Sequence, residues 1–183
     1  MNECLPTSEL LIRKATPEDA SSIARVNYFS WMDAFRGLLP DSELDSLDIE
    51  ILTNLWKHNL NADDSRSCTL VVLYKSVAVA YSRFYPSVDS DDDSALVATI
   101  GSSYVLPELQ GRGIGNKLVS AVLLALKDHG FLEVTLHVLA TNQRARNFYE
   151  HLSWAEDLEL FLEQSEGESA RKIRYRKRID REN

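Results

Sequence analysis

Gln110-Gly111-Arg112-Gly113-Ile114-Gly115 sets three glycines at alternate positions, between a strand-like segment and an amphipathic, helix-like one. That spacing suits an anion. Without a Cβ the backbone comes close to a ligand and takes positive φ, so successive N–H groups converge on phosphate oxygens at a helix N-terminus. A hydrogen bond to a charged partner contributes about 1.5–3 kcal/mol, so a few amides anchor a pyrophosphate without any lysine. The run therefore predicts a phosphate-bearing cofactor, against the plainer reading of a tight turn that caps a helix. The two commonest phosphate loops do not fit. A G-x-G-x-x-G fingerprint begun at Gly111 needs glycine where Asn116 stands, and begun at Gly113 needs it where Leu118 stands. A P-loop ends Gly-Lys-Ser/Thr, whereas this chain reads Gly115-Asn116-Lys117-Leu118.

Other chemistries are poorly served. His58, His129, His137 and His151 show no metal-ligand spacing and no His-linked carboxylate cluster, so no metal is predicted. Gly101-Ser102-Ser103-Tyr104-Val105 lacks the second glycine of a serine-hydrolase elbow. Gly101 instead marks a strand bulge or a close ligand approach. Cys4 and Cys68 form neither a disulfide framework nor a metal pair, and Cys68, beside an apolar run, reads as a packing residue.

Stepping outward, 183 residues with 44% hydrophobic and 26% charged content suit one soluble globular domain. No stretch approaches the ~18 apolar residues of a spanning helix, and residues 1–9 lack the layout of a signal peptide. They read as a flexible N-terminus, no membrane association is expected, and cytoplasmic residence is the default. A net charge of −8 argues against nucleic acid as a partner. The charge is uneven. Asp89-Ser90-Asp91-Asp92-Asp93 reads as a flexible acidic hairpin loop, and Arg171 to Ile179 as a terminal strand with one solvated basic face.

Hydrophobic periodicity supplies the elements that must position the loop. A short strand from Leu10 to Lys14 is followed by Thr16-Pro17-Glu18-Asp19, a helix start with its stripe at Ile23, Val26, Asn27, Ser30, Trp31, Ala34 and Phe35. A second helix spans Asp48 to Leu60 on Ile51, Leu52, Leu55 and Trp56. Trp31 and Trp56 read as core or groove walls. A hairpin pairs Thr69–Tyr74 with Val77–Tyr85 across Lys75-Ser76, and Ala95 to Leu106 runs as a strand into the glycine loop. Ile114, Leu118, Ala121, Val122 and Ala125 mark the next helix, ending near His129-Gly130. A strand at Glu133–Ala140, a helix at Asn142–Leu152 and two closing strands complete the order β-α-α-β-β-β-α-β-α-β-β.

Gln110, Gly113 and Gly115, with Tyr104-Val105-Leu106-Pro107-Glu108-Leu109 upstream, resemble the acyl-coenzyme A loop of the GNAT superfamily of N-acetyltransferases. About 30 residues downstream, Asn142 to Leu152, with Ala145, Tyr149 and Glu150, is similar to the family's second block. The resemblance covers nearly all of Leu10 to Ile179. It implies one domain over residues 10–180, of mixed α/β (α+β) class. Its sheet would be mixed, mostly antiparallel and twisted, with about 6–7 strands, about 4 flanking helices and central strands splayed beside the loop. Acetyl-CoA as co-substrate is implied, its pyrophosphate on amides of Gln110, Gly111, Arg112, Gly113, Ile114 and Gly115. The pantetheine would run along Tyr104, Val105 and Leu106, with Asn142 bonding the arm or a nearby strand end. Tyr149 matches the position of a tyrosine that faces the thioester sulfur and is the candidate general acid. The segment Trp31 to Pro40 would line the acceptor side.

The implied function is acetyl transfer from acetyl-CoA to a primary amine of a small molecule, by direct attack in a ternary complex. A protein N-terminal or lysine acetyltransferase and a noncatalytic acyl-CoA-binding module are the alternatives. Family habit and the basic terminal strand suggest a homodimer. One departure bears on chemistry: Thr99 stands where many relatives carry a glutamate base, and threonine takes no proton at neutral pH. An amine near pKa ~10.4 costs about 4–5 kcal/mol to deprotonate at pH 7, against about 1.4 near pKa ~8. A water chain, Asp41, Glu43, Tyr81 or His137 would have to relay that proton. Ser153 occupies a place where relatives often have glycine.

Overall fold

Apolar residues crowded from Cys68 to Tyr74, and again from Val77 to Phe84, demand a sheet covered on both faces. The computed structural model, which describes residues 9–62, 64–157 and 171–179, supplies one. Apart from Glu9, the expected flexible start, with Cys4, lies outside those residues. Strands β1 (Leu10–Lys14), β2 (Cys68–Tyr74), β3 (Val77–Pro86) and β4 (Val97–Val105) pair antiparallel in that order. The β2–β3 turn is Lys75-Ser76, both left-handed at φ 50° and 67°, the twist that suits a two-residue hairpin. Strand β5 (Glu133–Leu139) lies parallel to β4, and β7 (Lys172–Arg178) and the short β6 (Ala155–Glu156) follow, giving the order β1-β2-β3-β4-β5-β7-β6.

The parallel pairing is brief. It runs from Val97↔Glu133 to Ile100↔Leu136 and stops. Beyond it β4 stays with β3 as far as Val105, while β5 stays with β7 as far as Leu139, so the sheet splits down its middle. The split begins at a bulge. Arg83 faces Ser102 and Phe84 faces Ile100, leaving Gly101 as the extra residue that bends β4. A Cβ on Gly101 would lie 2.5 Å from the ring edge of Tyr85 and 2.6 Å from its hydroxyl. Only glycine lets that ring cross the strand.

Among the described residues, five α-helices cover the sheet: α1 (Ala20–Phe35), α2 (Asp41–Asp45), α3 (Ile49–Asn61), α4 (Ile114–Asp128) and α5 (Gln143–His151). The short α2 is the one addition to the order read from the sequence. Helix α1 buries Ile23, Ala24, Val26 and Ser30 against β3 and β4. Helix α4 buries Ile114, Leu118, Val119, Val122 and Leu126, so Ala121 and Ala125 of the expected stripe sit at its margin. In α3 the expected stripe is half wrong. Trp56 and Leu60 are buried, but Ile51 is 68% exposed and Leu55 half exposed, because α3 turns only one side toward α1 and the Tyr81 ring of β3. Cys68 is buried at the start of β2.

The solvated basic face expected of the last strand survives only at its ends, where Lys172 and Arg178 are exposed; its middle is covered, and the acidic run is not free. Arg174 is 3% exposed and forks onto Asp91, Nη1 to Oδ1 at 2.7 Å and Nη2 to Oδ2 at 2.6 Å. Arg176 reaches Asp92, Asp157 and Glu133 at 2.6, 2.8 and 3.0 Å. Two runs that read as solvent-facing in one dimension neutralise each other in three. Among the described residues, no helix is long and apolar enough to cross a membrane.

Candidate active site

Gly113 sits at φ 78° as the residue before α4, with Gly111 also left-handed at φ 71°. No side chain caps the helix. The first bond into it is Lys117 N–H to Gly113 C=O at 3.2 Å, so the amides of residues 114–116 precede any intrahelical acceptor. Those donors, with the positive end of a 15-residue helix behind them, fit a diphosphate. Gln110 is turned back, its Nε2 donating to the Val105 carbonyl at 3.1 Å.

The open edge of β4 leads from this loop toward the split. Leu106 N–H is committed to Val79 C=O at 2.9 Å. Backbone groups alternate sides along an antiparallel strand, so the Tyr104 backbone also faces β3, while those of Ser103 and Val105 face the gap. The Val105 carbonyl accepts from Ser30 Oγ at 3.1 Å as well as from Gln110. That leaves the Val105 amide and the Ser103 backbone for an extended ligand. Ser103 was not singled out by the sequence reading, yet period-two alternation from Val105 points to it. The Tyr104 side chain packs near Trp31 and Tyr81, and burial holds its hydroxyl protonated.

Tyr149 comes in from α5. Its ring is buried among Phe148, Trp154 and Tyr175, with Ser103 beside its hydroxyl, which brings α5 to the open half of β4. Burial is the main cause that pushes its pKa up to about 12, with the Ser103 hydrogen bond opposing. It therefore carries a proton throughout the neutral range. Asn142 caps α5, its Oδ1 accepting from Ala145 N–H at 3.1 Å, so only Nδ2 remains for a ligand. Just past α5, Ser153 takes φ 59°, the left-handed conformation that glycine adopts most readily after a helix.

Thr99 is 5% exposed and its Oγ1 lies 3.0 Å from Thr135 Oγ1, inside the stretch where β4 and β5 still pair. It closes the base of the split, its hydroxyl turned onto Thr135. The four side chains offered in its place separate by environment. Asp41 is exposed and tied to Arg36 at 2.9 Å, and Glu43 is exposed two residues on. Tyr81 is fully buried, its hydroxyl lacks an aligned partner, and desolvation raises its pKa well above the ordinary value. His137 is the first β5 residue beyond the paired stretch. Burial lowers its pKa, Asp89 opposing, so the imidazole is neutral at pH 7. Among the described residues, no group of three or more His, Cys, Asp or Glu is arranged to hold a metal.

The model of the Acetyltransferase (GNAT) family matches residues 28–154, most of the chain. YuaI of Bacillus subtilis, an uncharacterized N-acetyltransferase, is 29% identical over 136 residues, 72% of each chain. PaiA N-acetyltransferase of Thermoplasma acidophilum, solved with coenzyme A, superposes with TM-score 0.71 at 19% identity, over 92% of this chain and 98% of its own. YncA of Salmonella typhimurium, solved with its cofactor acetyl-CoA, gives TM-score 0.70 at 16% identity, over 95% and 96%. The uncapped helix, the two strands that flank the split and the tyrosine at its edge all fall inside the matched residues, and the chain belongs to the GNAT acetyltransferases, enzymes that transfer an acyl group.

Proposed function

We propose that this protein transfers the acetyl group of acetyl-CoA to a primary amine of a small molecule, by direct attack within a ternary complex. The observation that carries the reading is the split between β4 and β5, entered at one end from the uncapped N-terminus of α4 and edged by the Tyr149 hydroxyl and Ser103. Bound acetyl-CoA supplies the activated acyl carbon, and the chain must do three things for it. The amides of residues 114–116 hold the diphosphate. The Val105 and Ser103 backbone extends the arm as an added strand would, which orients the thioester. Tyr149 keeps its proton until sulfur leaves, then donates it from Oη, so that the new C–N bond forms as the C–S bond breaks.

The test follows coenzyme A thiol release with an amine panel, alongside calorimetric binding of coenzyme A. Tyr149→Phe is expected to lower kcat by about 10²–10³-fold, as for loss of a general acid, with coenzyme A affinity unchanged. Full activity in that variant removes Tyr149 from the mechanism. Wild-type protein that binds coenzyme A and acetylates nothing is a binding module. Product mass confined to peptides selects the protein acetyltransferase instead.

A further inference from the structure

Thr99 offers no base, yet an amine that attacks a thioester must lose a proton. Resting on the acetyltransfer reading above, the structure assigns that proton to His137: we propose that Asp89, clamped by Arg174, holds the His137 ring by its Nε2–H and leaves Nδ1 as the lone pair at the split. The group is assembled from three parts of the chain. His137 is on β5, Arg174 is the residue directly opposite it on β7, and Asp89 comes from the connection between β3 and β4.

Asp89 Oδ2 is shared, 3.4 Å from His137 Nε2 and 3.3 Å from Arg174 Nη1. The Arg174 guanidinium is fixed in turn by the Asp91 fork, and its Nε lies 2.7 Å from Asp157 Oδ2, an ion pair without hydrogen-bond alignment. A buried guanidinium ringed by three carboxylates has nowhere to move, so the carboxylate oxygen facing His137 is fixed as well. His137 Nε2 is buried and, like Arg174 Nε, has no aligned hydrogen-bond partner, so Asp89 Oδ2 at 3.4 Å stands beside it at charge-pair distance, ready to accept once the ring turns or gains charge. Of the two ring nitrogens Nε2 is the buried, unpartnered one, and the side chain as a whole keeps 19% of its surface exposed. Opposite residues on paired strands share a face, and alternation along β5 puts His137 on the face of Thr135, whose hydroxyl meets Thr99. His137 therefore stands one step beyond Thr99, where the sheet has opened.

The step balances. As the amine nitrogen bonds to the acyl carbon, its proton passes to Nδ1, and the imidazolium gains the full attraction of Asp89. The 3.4 Å spacing then shortens, as catalytic hydrogen bonds do when charge develops. Charged groups facing the ring come from two elements: Asp89 and Asp92 from the β3–β4 connection, which raise its pKa, and Arg174 and Lys172 from β7, which with burial lower it. Asp91 and Asp157 act through Arg174.

The test is made on the full chain, with acetyl-CoA and whichever of tyramine, spermidine and a short alanyl peptide is acetylated fastest. Imidazole titration by NMR, with His137 assigned by loss of its signal in His137→Gln, runs beside it. In wild type the resting ring is expected as the Nε2–H tautomer, titrating below the ordinary histidine value. His137→Gln should lower kcat by about 10²–10⁴-fold and erase the acid limb of the pH–rate profile, with coenzyme A affinity intact. Asp89→Asn leaves Arg174 its Asp91 and Asp157 partners and so keeps the fold. It should move the His137 midpoint and the acid limb down together by about one pH unit. Loss of fold would lower amplitude without moving either midpoint.

A wild-type Nδ1–H tautomer, or an Asp89→Asn midpoint that stays or rises, overturns the role of Asp89. An acid limb that survives in His137→Gln overturns the role of His137 while the acetyltransfer reading stands. Coenzyme A bound but no amine acetylated by wild type overturns that reading and the catalytic role with it, and the tautomer still decides whether Asp89 holds the ring.

Discussion

A left-handed residue directly ahead of an uncapped helix fixes what Gly113 must be. In Gly113→Asp the φ of 78° strains an L residue and a carboxylate is aimed at the diphosphate. With one or more charge-assisted bonds lost, coenzyme A affinity is expected to fall by at least about 100-fold in calorimetry. Thr99→Glu, which puts a carboxylate where the resemblance implies a base, should harm rather than help. The position is sealed against Thr135, and Arg176 across from Thr135 is already held by Asp92, Asp157 and Glu133, so the carboxyl would be buried with no uncommitted cation beside it. Thermal or urea unfolding should register a loss of about 2–5 kcal/mol with no gain in kcat. A gain in activity would mean that residue 99 reaches the substrate.

At the scale of elements, the split sheet depends on one bulge. Gly101→Ala forces a methyl group into the Tyr85 ring, so either the ring leaves the strand or β4 straightens. The cost should be about 1–3 kcal/mol in unfolding free energy, as for other overpacked sites. Because Tyr85 and the bulge lie beside the opening, the KM for the amine should rise more than the KM for acetyl-CoA. Equal effects on both would detach the bulge from the acceptor side. Helix α5 makes the complementary contribution: Asn142 starts it, Tyr149 projects from it toward Ser103, and Ser153 turns the chain sharply after it.

Across the whole molecule, the two halves of the split sheet are joined at one end by charge. Arg174 and Arg176 of β7 bind the aspartates that follow β3, a connection over more than eighty residues of sequence. Arg174→Met leaves three carboxylates facing each other around a buried site, and breaking such a network costs about 3–5 kcal/mol. The pH dependence has a definite sign. The Arg174 hydrogen bonds, opposed by desolvation, hold Asp91 down to about 2, below the ~3.9 of an unfolded aspartate. The stabilisation is complete above about pH 4 and lost as pH falls toward 2. Near-ultraviolet circular dichroism should follow that loss in wild type, and the transition should be absent in Arg174→Met. An unchanged transition in the variant would locate the acid-sensitive contact elsewhere.

Local signals carried most of the architecture. Strand and helix order, the Lys75-Ser76 hairpin and the bulge at Gly101 follow from side-chain periodicity and backbone freedom, properties that neighbours in sequence control. The glycine run identified a helix end without a side-chain cap for the same reason, and two motif blocks about 30 residues apart pointed to the family. Long-range pairing was not legible. That Asp89 to Asp93 clasp β7, that Ile51 and Leu55 stay exposed, and that Thr99 is sealed by Thr135 are decided by which surfaces meet after folding. So are the surroundings that set His137 apart from Asp41, Glu43 and Tyr81. Burial and opposed charge set a side chain's protonation, and both are properties of the assembled neighbourhood rather than of the residue or its place in the chain.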